Sequence, residues 1–133
     1  MDISTINWLA VFAAALSTFI IGALWYGPIF GKPWMAEHGF TEEQLKSSNM
    51  GKIFGLAFVL EFIMALNLAI FLSDSSDVLW GVAAGFLAGF GWIALAMGVN
   101  ALFSRYSLRL WFIDSFYFVV TFMLMGGILT LWK

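Results

Sequence analysis

Cysteine is absent from this 133-residue chain, which removes disulfides, thiol nucleophiles and thiolate metal sites from consideration. Charge is scarce as well: 11% of residues are charged, against roughly a quarter in ordinary globular proteins. The net charge of −2 comes with no basic stripe to neutralise phosphates, so nucleic acid is not an expected partner. His38 is the only histidine. Glu37, Glu42 and Glu43 lie near it, but no spacing puts several ligands on one helical face. A solvated loop histidine is expected there, and no metal or cofactor. No Ser-His-Asp set, P-loop or zinc signature occurs, so the chain does not read as an enzyme. What is abundant is apolar: 62% of residues are hydrophobic, more than a chain this small can hide inside one core. Lipid is the solvent that removes the problem.

A spanning helix needs about 20 mostly apolar residues, and four stretches qualify, at about 8–28, 53–72, 78–103 and 110–132. The expected fold is all-α: a single domain over 1–133, an integral membrane bundle of four transmembrane helices. Gly27-Pro28 closes the first span, because proline ends helical hydrogen bonding. That span is not expected to be a cleaved signal peptide, since Met1-Asp2 is not basic and no small-residue cleavage site follows. Lys32, Lys46, Lys52, Arg105 and Arg109 fall on one side of the spans, whereas the loop Ser73-Asp74-Ser75-Ser76-Asp77 carries only acids. The positive-inside rule then places five of six basic residues in the cytoplasm and Lys133 outside, with both termini outside. Acidic Asp2 is easily translocated. Trp8, Trp80 and Trp132 fall at the outer interface and Trp25, Trp34 and Trp111 at the inner one, with Tyr26 beside Trp25, as an aromatic belt requires. Trp92 alone sits mid-span. In the cytoplasmic loop 31–50, Thr41-Glu42-Glu43-Gln44 reads as a capping box opening a short amphipathic helix to about Ser47. Trp34, Met35, Phe40 and Leu45 would rest it on the headgroups; it is a surface connector or a partner-binding element.

The end of span one, Gly22-Ala23-Leu24-Trp25-Tyr26-Gly27-Pro28 followed by Phe30-Gly31-Lys32-Pro33-Trp34-Met35, carries a resemblance. So do Asn100-Ala101-Leu102-Phe103 and Leu110-Trp111-Phe112-Ile113-Asp114 with Tyr117. Together these stretches resemble a family of small bacterial membrane proteins known only as a domain of unknown function, DUF1761, from Asn7 to Trp132. The resemblance implies a four-helix protein of the bacterial inner membrane. It implies no activity and assigns Asp114 and Tyr117 no role.

Glu61, near the middle of span two, is the most expensive residue, since a charged acid at a helix centre costs about 3 kcal/mol to insert. Thirteen Leu, Ile, Phe and Val residues between Ile53 and Leu72 return roughly 4 to 8 kcal/mol. The span inserts, and Glu61 is expected to face the bundle, where Ala57 and Ala65 leave room for a neighbour. Glu61 is either a proton- or cation-binding site or a neutral acid bonded to a neighbouring helix. Asp114 lies about 7.5 Å past Arg109 at 1.5 Å per residue, where an ion pair with Arg105 or Arg109 is expected. Tyr117 and Thr121 extend its face toward the level of Glu61, about 13.5 Å past Lys52 by the same rise. Such a stripe would form a half-channel if the two helices touched.

Gly81, Gly85 and Gly89 recur every four residues, with Asn100 continuing near the same face; Asn7, Ala14, Thr18 and Trp25 share a face of span one. These are expected helix-packing faces, because association in lipid depends on close backbone approach. Asn67 lies about 120° around the helix from Glu61, which points to a second contact surface and a homo-oligomer. Two functions follow: an oligomeric transporter or channel moving a proton, cation or small solute through Glu61, Asp114, Tyr117 and Thr121, or a non-catalytic assembly or stabilising partner whose polar residues only join helices. The five-to-one basic bias argues against dual topology.

Overall fold

The computed structural model describes residues 3–133; Asp2, read above as translocated, lies outside them. Four helices are long and apolar enough to cross a membrane: α1 (Trp8–Ile29), α4 (Met50–Phe71), α5 (Val78–Ser104) and α6 (Leu108–Leu131). Two short helices, α2 (Gly31–His38) and α3 (Glu42–Lys46), fill the first connection. No strand occurs among the described residues.

Each long helix opens on a polar cap that satisfies amides left over at a helix start. Asn7 accepts from the Ala10 N–H (3.2 Å), Asn49 from Lys52 (3.1 Å), Asp77 from Leu79 (3.1 Å) and Ser107 from Leu110 (3.0 Å). The caps at Asn49 and Ser107 start α4 and α6 a few residues ahead of their apolar runs. The capping box read from Thr41 and Gln44 is formed, and it opens α3.

Gly27-Pro28 does not stop α1 outright. The chain widens into a π-helical turn over Trp25–Ile29, and the Phe30 N–H reaches back five residues to the Trp25 carbonyl at 2.8 Å. Proline has no N–H to leave stranded in such a turn. α2 begins at once on Gly31, where any side chain would run into the Tyr26 carbonyl. A second π-helical turn, Gly89–Ala94, interrupts α5. At the last residue of that turn, the Ala94 carbonyl accepts from the Trp111 indole N–H at 2.8 Å.

The helices are ordered in space as α4, α1, α6, α5, with α1 packed on both α4 and α6 and α5 packed on α6. Ala10, Ala14 and Ala15 of α1 bring its backbone close to Ala65, Leu68 and Ala69 of α4 and to Met125 and Leu129 of α6. Phe12 and Phe58 meet edge-on at 5.6 Å beside this seam. On the other side of α6, the glycine ladder is closed within one chain. A Cβ at Gly81 would collide with the Gly126 carbonyl and one at Gly85 with the Phe122 carbonyl, while one at Gly89 would lie 2.9 Å from the Val119 Cα. Three helix ends are gathered at the side of the 72–77 loop: the Asn7 amide donates to the Trp132 carbonyl (3.1 Å), and the Lys133 ammonium to that of Leu72 (2.7 Å).

Candidate functional site: a buried carboxyl shared by three helices

Glu61 is 8% exposed and faces α1 and α6. Thr18 of α1 and Tyr117 of α6 complete the site. The Thr18 hydroxyl lies against Glu61 Oε2 and, at 2.7 Å, against the carbonyl of Ala15. The Tyr117 hydroxyl is 2.9 Å from the Thr18 carbonyl and 3.2 Å from Glu61 Oε1. Gly22, one turn beyond Thr18, packs against the Tyr117 ring, and a Cβ there would reach ordinary contact with it at 3.5 Å.

Counting hydrogens defines what the cluster can do. Thr18 and Tyr117 bring one O–H each. If Glu61 is ionised, both hydroxyls donate to it, one to each carboxylate oxygen. If Glu61 is protonated, its own O–H donates to Thr18 Oγ1, Thr18 turns to the Ala15 carbonyl, and Tyr117 turns to the Thr18 carbonyl. Every heavy-atom distance these two patterns need is present at once. Glu61 is satisfied with or without its proton by rotation of two hydroxyls, with no helix displaced.

A second carboxyl lies toward the other end of the bundle. Asp114 Oδ1 accepts from the Tyr26 hydroxyl at 2.7 Å and the Trp34 indole at 3.1 Å. The expected ion pair with Arg105 or Arg109 is not among the bonds of the described residues; Arg109 instead approaches Glu37 at 3.9 Å. The reason is angular: five helical residues turn through about 140° beyond a full circle at 100° per residue, so Arg109 and Asp114 leave α6 on different sides. The rings of Tyr26 and Tyr117 are 5.4 Å apart. Asp114 with Tyr26 and Tyr117 with Glu61 are thus two hydrogen-bonded pairs set end to end, joined by the contact of the two rings. At the Asp114 end a cavity of about 70 Å³, lined also by Asn100, Tyr106 and Trp111, is large enough for a few waters. Replacing Tyr26 by Phe should lower the unfolding free energy by about 1.5–3 kcal/mol, the usual worth of a hydrogen bond to a charged group, read by denaturation in detergent.

Other residues singled out in the sequence are placed as follows. Thr121 is buried one turn beyond Tyr117, but its hydroxyl donates to its own helix at the Phe118 carbonyl (3.1 Å) and does not join Glu61. Asn67 and Asn100 are exposed. Three inner tryptophans read as interface anchors turn their N–H groups into the protein, with Trp25 donating to the Ile113 carbonyl at 2.8 Å and Trp34 and Trp111 bonded as above. His38 lies between Trp34 and Phe40, stacked on the latter at 4.9 Å. Sequence reasoning missed Thr18 as part of the Glu61 site, and it read Tyr26 only as an anchor.

A family model described as "Protein of unknown function (DUF1761)" matches residues 9–130. No curated protein and no solved structure matches the chain.

Proposed function

The chain belongs to the DUF1761 family, whose description carries no activity, and from that premise we propose that it is a proton-linked membrane transporter or channel with Glu61 as its proton-exchange site. The observation that carries this reading is the pair of hydrogen-bond patterns around Glu61, which accommodates the carboxyl with or without a proton between fixed helices. Tyr117, Tyr26 and Asp114 supply the route to the end of the bundle that carries Lys32, Arg105 and Arg109. By the positive-inside rule that end faces the cytoplasm, and both termini lie outside. In this reading the chain catalyses no covalent chemistry. Its partners are the bilayer, further copies of itself, and a proton or small solute.

The second reading, a non-catalytic assembly or stabilising partner, is favoured by one observation: both Glu61 oxygens are engaged by neighbouring helices. Glu61→Gln separates the two, because an amide keeps the volume and hydrogen bonds but does not titrate. Wild type and variant in liposomes containing a pH-sensitive dye should differ: an imposed proton gradient collapses with the wild type and persists with the variant. Stability should change by no more than about 1 kcal/mol, the size of one net hydrogen bond. Persistence of the gradient with the wild type would favour the second reading. Equal collapse with both proteins would remove Glu61 from the mechanism.

A further inference from the structure

α4 and α5 are consecutive helices joined by a short loop, yet they barely pack against each other. Each leans on other helices, α4 on α1 and α5 on α6. Phe71 and Trp80 come together at the loop, with ring centroids 6.4 Å apart. Below them a cleft of about 1010 Å³ opens between Met64–Phe71 on one wall and Trp80–Ile93 on the other, floored by Ala84 and Phe122.

We propose that this cleft holds one acyl chain of a phospholipid from the leaflet on the 72–77 side, with Asn67 and Trp80 bonded to its ester region. Three features carry the assignment. The lining is apolar apart from Asn67 and the tryptophan N–H groups, so a hydrocarbon chain fits it and water does not. The cleft is one leaflet deep: Trp80 to Trp92 is about 18 Å at 1.5 Å per residue, against about 15 Å for half a hydrocarbon core. A transmembrane helix from a second copy would cross both leaflets, whereas an acyl chain fills one. Finally, at the loop end of the cleft the Asn67 amide and the Trp80 indole N–H have no hydrogen-bond partner among the described residues. Asn67 lies four residues from the end of α4, about 6 Å below it. That is the depth at which an ester carbonyl meets the hydrocarbon, and an amide without a partner there is costly.

The assignment stands whether or not Glu61 carries protons, because its readout is the position of a lipid. The full chain is reconstituted in vesicles of phosphatidylethanolamine with a photoactivatable group on one acyl chain, illuminated, and mapped by peptide mass spectrometry. Adducts should concentrate on 64–71 and 80–93 above the level on the exposed α1 residues Leu9, Leu16 and Ile20. Ala88→Phe, which fills the cleft, should abolish the cleft adducts and leave those on α1. Asn67→Leu, on an exposed side chain that no fold contact needs, should lower them about threefold, the equivalent of one membrane hydrogen bond. Equal labelling of cleft and α1 would mean ordinary boundary lipid and would overturn the proposal. So would disulfide-linked dimers from Asn67→Cys in this cysteine-free chain, which would put a second copy in the cleft.

Discussion

Gly85→Leu should yield almost no folded protein. The glycine sits where the α5 backbone meets the α6 backbone, and a first side-chain carbon already collides with the Phe122 carbonyl. A backbone atom cannot rotate away as a side chain can, so relief requires the two helices to separate. Separation opens the contacts of Gly81 with Gly126 and of Gly89 with Val119 as well. The cost should exceed about 3 kcal/mol, the upper end of ordinary overpacking. Size-exclusion profiles of the detergent-solubilised variant should show aggregate in place of the native peak. A folded monomer that has merely lost a larger assembly would mean that the ladder faces another protomer. Leu87→Ala, at an exposed position on the same helix, should fold normally.

The second large effect is all-or-none. Ser76, in the acidic loop between α4 and α5, and Ser48, between α3 and α4, are both exposed. With no cysteine elsewhere in the chain, a single Ser76→Cys or Ser48→Cys variant carries one reactive thiol. In intact cells a membrane-impermeant maleimide should label Ser76→Cys and leave Ser48→Cys unlabelled until the membrane is opened. The reverse pattern would invert the orientation and put the Asp114 end of the bundle outside. Labelling of both would mean that the chain inserts both ways.

The four spans were legible because lipid imposes a one-dimensional test: length and hydropathy decide whether a helix can cross. The glycine ladder was legible as a contact face for a similar reason, since small residues every four positions serve close approach. Which helix it meets was not, because one sequence contains no pairing information. The same gap hid Thr18. Its place on a face of small residues was visible, but its meeting with Glu61 depends on α1 lying between α4 and α6. Tyr26 was misjudged for a different reason. An aromatic at the end of a span carries the same signal whether it faces headgroups or a carboxyl, and only the π-helical turn before α2 aims it at Asp114. The Arg–Asp pair failed on angle: nearness along the chain says little when five residues turn a side chain most of the way to the opposite face.

The spatial order of the helices also has a consequence for biosynthesis. Chains emerge amino terminus first, so α1 and α4 can pair early and give Glu61 one partner, Thr18. α5 then enters the bilayer with its glycine ridge facing lipid, since the surface that ridge fits is α6. The Tyr117 hydroxyl arrives only with that last helix. Until it does, the carboxyl is half-bonded and the ridge uncovered, because α6 supplies the missing partner of both.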